Sequence, residues 1–322
     1  MTSASDAQGR ELLRSIVVTM RRCLHEPGPE AAYAWANRLL ALRCLEAREL
    51  IDEVIVQRDV YGGRSLVHHR FAQRHPEGCM GDDDGLYAVL SEAFAEQARR
   101  LPLLFGDDGS MGSLRPSPAA LGQCIRALSG AGDRRPGAEA TRAIFRAPDA
   151  LGWAYQYWQA EQRRDVLDRL RGDRSFKIEG EHLIAATQLY TERYMVDFLV
   201  ANTVEAMWTA AHPDLPLGLS APRLVRDAPL PEAPPKPVEQ ITVLDPACGS
   251  GHFLLGAFDT LYAMYERQGT PSQPGDICRA IIENNLFGID LDPRAVQLTE
   301  AALWMKAADR CGTFDAARAN LV

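Results

Sequence analysis

The strongest constraint on this chain is a seven-residue turn. The run Gln240-Ile241-Thr242-Val243-Leu244 leads directly into Asp245-Pro246-Ala247-Cys248-Gly249-Ser250-Gly251, and a segment with helical spacing follows from His252 to Gln268. The short β-branched run suits a buried parallel strand. Gly249 and Gly251 let the backbone bend tightly and approach a ligand closely. The first turn of the following helix leaves N–H groups free, and these suit a carboxylate or a phosphate. Asp245, at the strand's C-terminal end, can accept from an ammonium group. A short helix is expected over Asp276–Asn284, then a second strand, Leu286–Leu291, which ends in Asp290-Leu291-Asp292. A carboxylate in that place is where doubly wound folds hold ribose hydroxyls. Asp292-Pro293 then starts a helix to about Ala308, with Asp at the cap and Pro at the first helical position. Strand, glycine turn, helix, strand, helix is the opening of a doubly wound α/β domain.

A dinucleotide fingerprint fits less well. Gly249-x-Gly251 is followed by Leu254 where the third glycine should stand, and Gly256 comes two positions late. The acidic residue also lies about twice as far on as the usual roughly 20 residues. A nucleotide-cofactor oxidoreductase is therefore the weakest of the functional readings.

Upstream, residues 10–175 read as mostly helical. Ala31–Ile51, Leu86–Leu104 and Leu151–Leu170 carry apolar residues at three- and four-residue spacing. Glycine- and aspartate-rich stretches separate them. A further helix is expected over Glu192–Trp208, with Thr191 as its N-cap. The proline-rich stretch from His212 to Gln240 cannot be helix or central strand, and taken alone it reads as a linker.

The chain has a formal net charge of −8 over 322 residues. A protein that lives on DNA usually shows a basic surface, so contact with DNA must come from a local face or from residues outside this sequence. No long apolar run and no basic-then-apolar leader is present, which points to a cytoplasmic protein with no membrane span. The seven cysteines are scattered singly, so no zinc ribbon or disulfide framework is indicated.

LDPACGSGHFLLGAF resembles motif I of the gamma-class N6-adenine DNA methyltransferases, GIDLDP their motif II, and TQLYTERYMVDFLV their motif X, in the order that class uses. The resemblance implies S-adenosylmethionine as cofactor. Tyr190, Thr191, Asp245, Ala247, Gly249 and Gly251 would hold its methionine end, with Pro246, Cys248 and Ser250 in the same turn. Asp290 would take the ribose hydroxyls and Leu291 would pack on the adenine. Phe253 either packs near the cofactor or fills the sheet–helix core. Further upstream, AYAWANRLLALRCLEARELI, LPLLFGDD and LGWAYQYWQAEQRRDVLDRL are similar to the N-terminal helical region of PglX-type methylases of BREX systems and of DISARM adenine methylases, both phage-defence enzymes. The implied fold is α/β: a helical N-terminal domain over residues 1–175, then the first half of a Rossmann-like methyltransferase domain over 176–322. In this class motif X belongs to the catalytic domain. Its helix should pack beside the first strand, and the proline-rich stretch becomes a loop within that domain.

The family's catalytic motif IV, (Asn/Asp/Ser)-Pro-Pro-(Tyr/Phe), does not occur. Pro234-Pro235 stands upstream of motif I, between Ala233 and Lys236. No catalytic residue is therefore assigned, and this chain alone is expected to be inactive. Either it is a piece of a longer protein, which is the expectation, or another chain completes the fold. Double-stranded DNA would be bound through the full-length protein, with other defence-system proteins as further partners. The alternative is a non-catalytic module that binds S-adenosylmethionine and partner proteins.

Several tempting residues have ordinary readings. His68, His69, His75 and Cys79 match no zinc-ligand spacing, and a surface loop is expected; no metal site is assigned. Asp82-Asp83-Asp84-Gly85 lacks the first ligand position and the distal Glu of a calcium loop. Cys248 reads as a small packing residue. Trp153, Tyr155, Tyr157 and Trp158 read as interhelical core, and Arg163, Arg164, Arg169 and Arg171 as a solvated helix face.

Overall fold

The computed structural model describes residues 4–26, 28–106, 114–130, 138–189, 191–215, 217, 225, 234–315 and 317–322. They form two compact units, Met1–Gln188 and Leu189–Val322. The described residues are mostly helical, with a small parallel sheet in the second unit. No described helix is long and apolar enough to cross a membrane.

The first unit runs α1 (Ala4–Cys23), α2 (Pro29–Ala47), α3 (Leu66–Arg74), α4 (Leu86–Gln97), α5 (Pro102–Phe105), α6 (Pro118–Ser129), α7 (Ala138–Arg146), α8 (Ala150–Gly172) and α9 (Glu181–Thr187). The single helix expected over Leu86–Leu104 is two, because Pro102 has no N–H to give and starts the second piece. The α8 aromatics Trp153, Tyr155 and Trp158 are buried. Tyr157 stacks on Trp153 at 5.8 Å. Of the four α8 arginines, Arg164, Arg169 and Arg171 are exposed and Arg163 is half-buried. The division at Gln188, compared with the boundary expected near 175, reflects α9, which packs on α8.

α2 is buried around almost its whole circumference, so it is the core helix of this unit. Polar groups on such a helix must find partners. Three arginines at five-residue intervals find them at the ends of three other helices. Arg38 donates to the Leu104 and Gly106 carbonyls, at 2.8 and 2.7 Å, where α5 ends. Arg43 donates to the Leu128 carbonyl at 3.1 Å in the last turn of α6. Arg48, just past α2, donates to the Phe145 and Ala147 carbonyls at 2.7 and 3.1 Å, where α7 ends. Carbonyls at a helix C-terminus lack intrahelical partners and carry partial negative charge, so a guanidinium fork satisfies both needs. Glu46, on the same helix, accepts from the Val54 and Ile55 amides and fixes the segment that returns from α2.

The second unit begins with α10 (Arg193–Val200), which passes through one π-helical turn, Ala201–Glu205, into α11 (Ala206–Ala211). Glu192, not Thr191, stands at the cap, and its side chain makes no cap bond. The proline-rich stretch lies mostly outside the described residues. Then come β1 (Val243–Asp245), α12 (His252–Gln268), α13 (Pro274–Ala280) with a π-helical turn over Ile281–Asn285, β2 (Leu286–Gly288), α14 (Pro293–Cys311) and β3 (Asn320–Leu321). The strands lie parallel in the order β1-β2-β3. Val243 pairs with Leu286, Asp245 with Gly288, and Phe287 with Asn320. Two residues of β3 are too few for a sequence pattern to announce a strand.

Two contacts align this layer. Buried Asn285 donates to the Val238 and Ile241 carbonyls at 2.8 and 2.7 Å and accepts from the Tyr265 hydroxyl at 3.0 Å, which fixes the approach to β1. Burial pushes the Tyr265 phenol up to about 12. α10 lies against α12. The crossing falls at Gly256, where a Cβ would stand 2.7 Å from Val196 Cγ1.

Candidate functional site

The parallel ladder carries on past the strands. The Ile289 amide donates to the Asp245 carbonyl and the Cys248 amide to the Ile289 carbonyl, both at 2.9 Å. The turns after β1 and β2 therefore lie side by side. Asp290 joins them: its carboxylate accepts from the Gly249 amide and from the Asp292 amide, each at 2.8 Å. Asp292 is a helix cap, accepting from the Arg294 amide at 3.0 Å, with Pro293 at the first position of α14.

Both glycines of the turn have positive φ, for different ends. Gly249, at +52°, would point a Cβ into open space, so its backbone is free for a ligand to approach. Gly251, at +87°, would drive a Cβ to 2.8 Å from Thr299 Cγ2, so it lets α14 close on the turn. Thr299 completes that contact by donating from Oγ1 to the Gly249 carbonyl at 2.8 Å.

The electrostatics are one-sided. Asp245 Oδ1 accepts from the Ala247 amide at 3.2 Å, while Oδ2 is buried with no hydrogen-bond partner among the described residues. Burial raises the Asp245 carboxyl above the usual carboxylate range, and neighbouring Asp290 adds to the rise. Neither carboxylate has a cationic partner in the ion pairs of the described residues. A ligand bearing positive charge would relieve both.

The remaining expected residues fall as follows. Pro246 and Ala247 are exposed and Ser250 is buried. Cys248 is buried, and desolvation pushes its thiol up to about 12, which leaves it protonated and unreactive at neutral pH. Phe253 is half-buried in the first turn of α12, whereas Leu254 and Leu255 fill the core. Leu291 is 71% exposed directly after Asp290. Thr191 is half-buried, and its carbonyl accepts from His252 Nδ1–H at 2.8 Å, which ties the segment before α10 to the start of α12. Tyr190 lies outside the described residues. Sequence reasoning missed His252 and Thr299. His252 could have been found from its place at the head of the helix, but Thr299 sits on α14 with nothing in its neighbours to mark it.

Comparison with known proteins bears on this geometry. A family model described as "MmeI, DNA-methyltransferase domain" matches residues 234–319, from the approach to β1 up to β3. The adenine-specific methyltransferase BrxX of Escherichia coli O9:H4 (strain HS) is 30% identical over 304 residues, covering 86% of this chain and 24% of that protein. The adenine-specific methyltransferase PglX of Lacticaseibacillus casei (strain Zhang) is 28% identical over 321 residues, covering 86% and 25%. This chain is a relative of the PglX-type adenine-specific methylases. A PglX of Streptomyces coelicolor is 40% identical over 73 residues, 21% of this chain and 6% of that protein. The chain spans about a quarter of the length of the two PglX-type relatives that match most of it.

Proposed function

We propose that this chain supplies the S-adenosylmethionine-binding part of a site-specific DNA adenine-N6 methyltransferase in a phage-defence or restriction-modification system. On this reading the first unit is the helical N-terminal domain and the second the opening half of a Rossmann-like methyltransferase domain. The observation that carries it is the pair of carboxylates, Asp245 and Asp290, at the ends of adjacent parallel strands beside an open glycine backbone. Bound there, S-adenosylmethionine would supply an electrophilic methyl group on a cationic sulfur.

Each residue then has a task. Asp245 Oδ2 takes the ammonium of the methionine end. Ala247, Gly249 and Gly251 let the backbone of the turn lie against that end, with Tyr190 and Thr191 beside it. Asp290 keeps lone pairs on both oxygens after its two amide bonds and offers them to the ribose hydroxyls. Leu291 covers the adenine. The target base, flipped from the duplex, would be held by residues of the full-length protein outside this sequence, since no motif IV lies within it.

Calorimetric titration of this chain with S-adenosylmethionine and, separately, with NAD tests the reading. Saturable binding of the first and none of the second is expected. Binding of NAD without S-adenosylmethionine would overturn it.

A further inference from the structure

Three side chains from separate segments of the first unit converge. His68 lies on α3, Cys79 ends a tight helical turn over Pro76–Cys79, and Asp84 sits in the turn before α4. One ligand atom from each (imidazole nitrogen, thiol sulfur and carboxylate oxygen) lies within 4.8 Å of the other two. His68 is buried and the other two are half-buried. Of the four residues that the sequence reading assigned to a surface loop, His68 and Cys79 are thus brought together. His69 stacks on Tyr61 at 4.9 Å and His75 packs on Phe71 at 5.1 Å.

The convergence is built by the local backbone. Ser65 caps α3 by accepting from the His68 amide at 3.2 Å. Asp84 has φ +52°, and Gly85 is pressed so close that a Cβ on it would stand 2.9 Å from Cys79 Sγ. His68 Nε2–H donates to the Asp84 carbonyl oxygen at 2.7 Å and lies 3.5 Å from Asp84 Oδ2, so a metal on that nitrogen displaces the hydrogen bond and the ring proton moves to Nδ1. Arg64 holds the same carboxylate at two points, 2.7 and 2.6 Å.

We propose that His68, Cys79 and Asp84 form a binding site for a divalent transition metal of the zinc type. A nitrogen, a sulfur and an oxygen donor are the set zinc accepts, and the sulfur and nitrogen disfavour calcium and magnesium. Zn–N and Zn–S bonds of about 2.0 and 2.3 Å place such donors about 3.5 Å apart, so a contraction of about 1 Å suffices. Arg64 is the outer partner that orients the carboxylate, and each carboxylate oxygen keeps a lone pair for the metal. Thiolate and carboxylate bring two negative charges to the ion, with Arg64 leaving the cluster one positive charge. Burial and the Asp84 charge keep the Cys79 thiol protonated; the cation reverses that preference and releases the proton. His68, Asp84 and Arg64 also line a cleft of about 560 Å³ with Gln57, Gln123 and Arg126. A water or ligand in that cleft completes the coordination, so the site exchanges a ligand instead of being sealed by four side chains.

Titration of the reduced full chain with Co²⁺ tests this. One equivalent should give a thiolate-to-cobalt charge-transfer band in the near ultraviolet and tetrahedral bands in the visible, both displaced by Zn²⁺. Cys79→Ser should abolish the charge-transfer band and weaken binding at least about tenfold, with an unchanged circular dichroism spectrum. His68→Gln should weaken binding comparably. Zn²⁺ should also slow alkylation of Cys79 in the parent. Absence of the band, its survival in Cys79→Ser, or an alkylation rate indifferent to Zn²⁺ would overturn the proposal.

Discussion

A single carboxylate, Asp290, serves both the fold and the candidate site. Its oxygens accept from amides in two different turns, so it is the clasp between them, and on the proposed reading it also takes the ribose hydroxyls. Asp290→Ala should therefore do two things at once. It should cost about 1–3 kcal/mol of stability, because two amides lose their acceptor, and weaken S-adenosylmethionine binding by at least about tenfold, equivalent to roughly 1.4 kcal/mol. Asp290→Asn, which keeps one acceptor oxygen, should lose less stability and still bind poorly. Calorimetry beside thermal melting separates the two effects, and a variant that binds like the parent would refute the ribose role. At this scale the sequence was informative where chemistry and position coincide. Asp245, Gly249 and Asp290 stand at strand ends next to a glycine turn, which marks them. Thr299 is equally engaged, but a threonine inside a helix looks like any other.

Elements were legible where a periodic run met a clear stop. α12 has the expected ends, His252 and Gln268, because glycines stand on both sides. α10 and α11 were read as one helix, since a π-helical turn changes hydrogen bonding without changing composition. Gly256 was read only as a misplaced member of a nucleotide fingerprint; its role is to let α10 and α12 touch. Alanine there gains about 1 kcal/mol in helix propensity but must push Val196 aside, at a cost of about 1–3 kcal/mol. Gly256→Ala should lower the unfolding free energy by up to about 2 kcal/mol, and Val196→Ala in the same chain should restore part of it. Chemical denaturation of both variants measures this; an undamaged Gly256→Ala would show that the crossing has slack.

Across the whole molecule, the change in pattern after the prolines falls inside the second unit, which begins at Leu189, and the internal economy of the first unit was not legible either. Arg38, Arg43 and Arg48 stand in a run whose spacing announces only a helix, whereas they serve as helix stops. The same helix holds a pH-sensitive group. Burial pushes the Glu46 carboxyl up from 4.5 to about 7, against the pull of its two amide donors and Arg43. Between those values the folded chain keeps a proton that the unfolded chain gives up, so stability falls as pH rises through that window and levels off above it. Glu46→Gln, which keeps an acceptor for both amides, removes the loss. Its melting temperature should exceed the parent's at about pH 8 by several degrees and converge with it near about pH 5. Equal melting curves at both ends would assign the carboxyl an ordinary titration.

Since one helix supplies the stops for α5, α6 and α7, none of the three is peripheral. Removing any of them takes carbonyl acceptors away from a guanidinium of α2 or its cap, and a donor left without its acceptor costs stability. The first unit is built like an arch around its keystone. Insertions should be absorbed in the loops between these helices, while trimming back any helix that α2 terminates should bring down the rest.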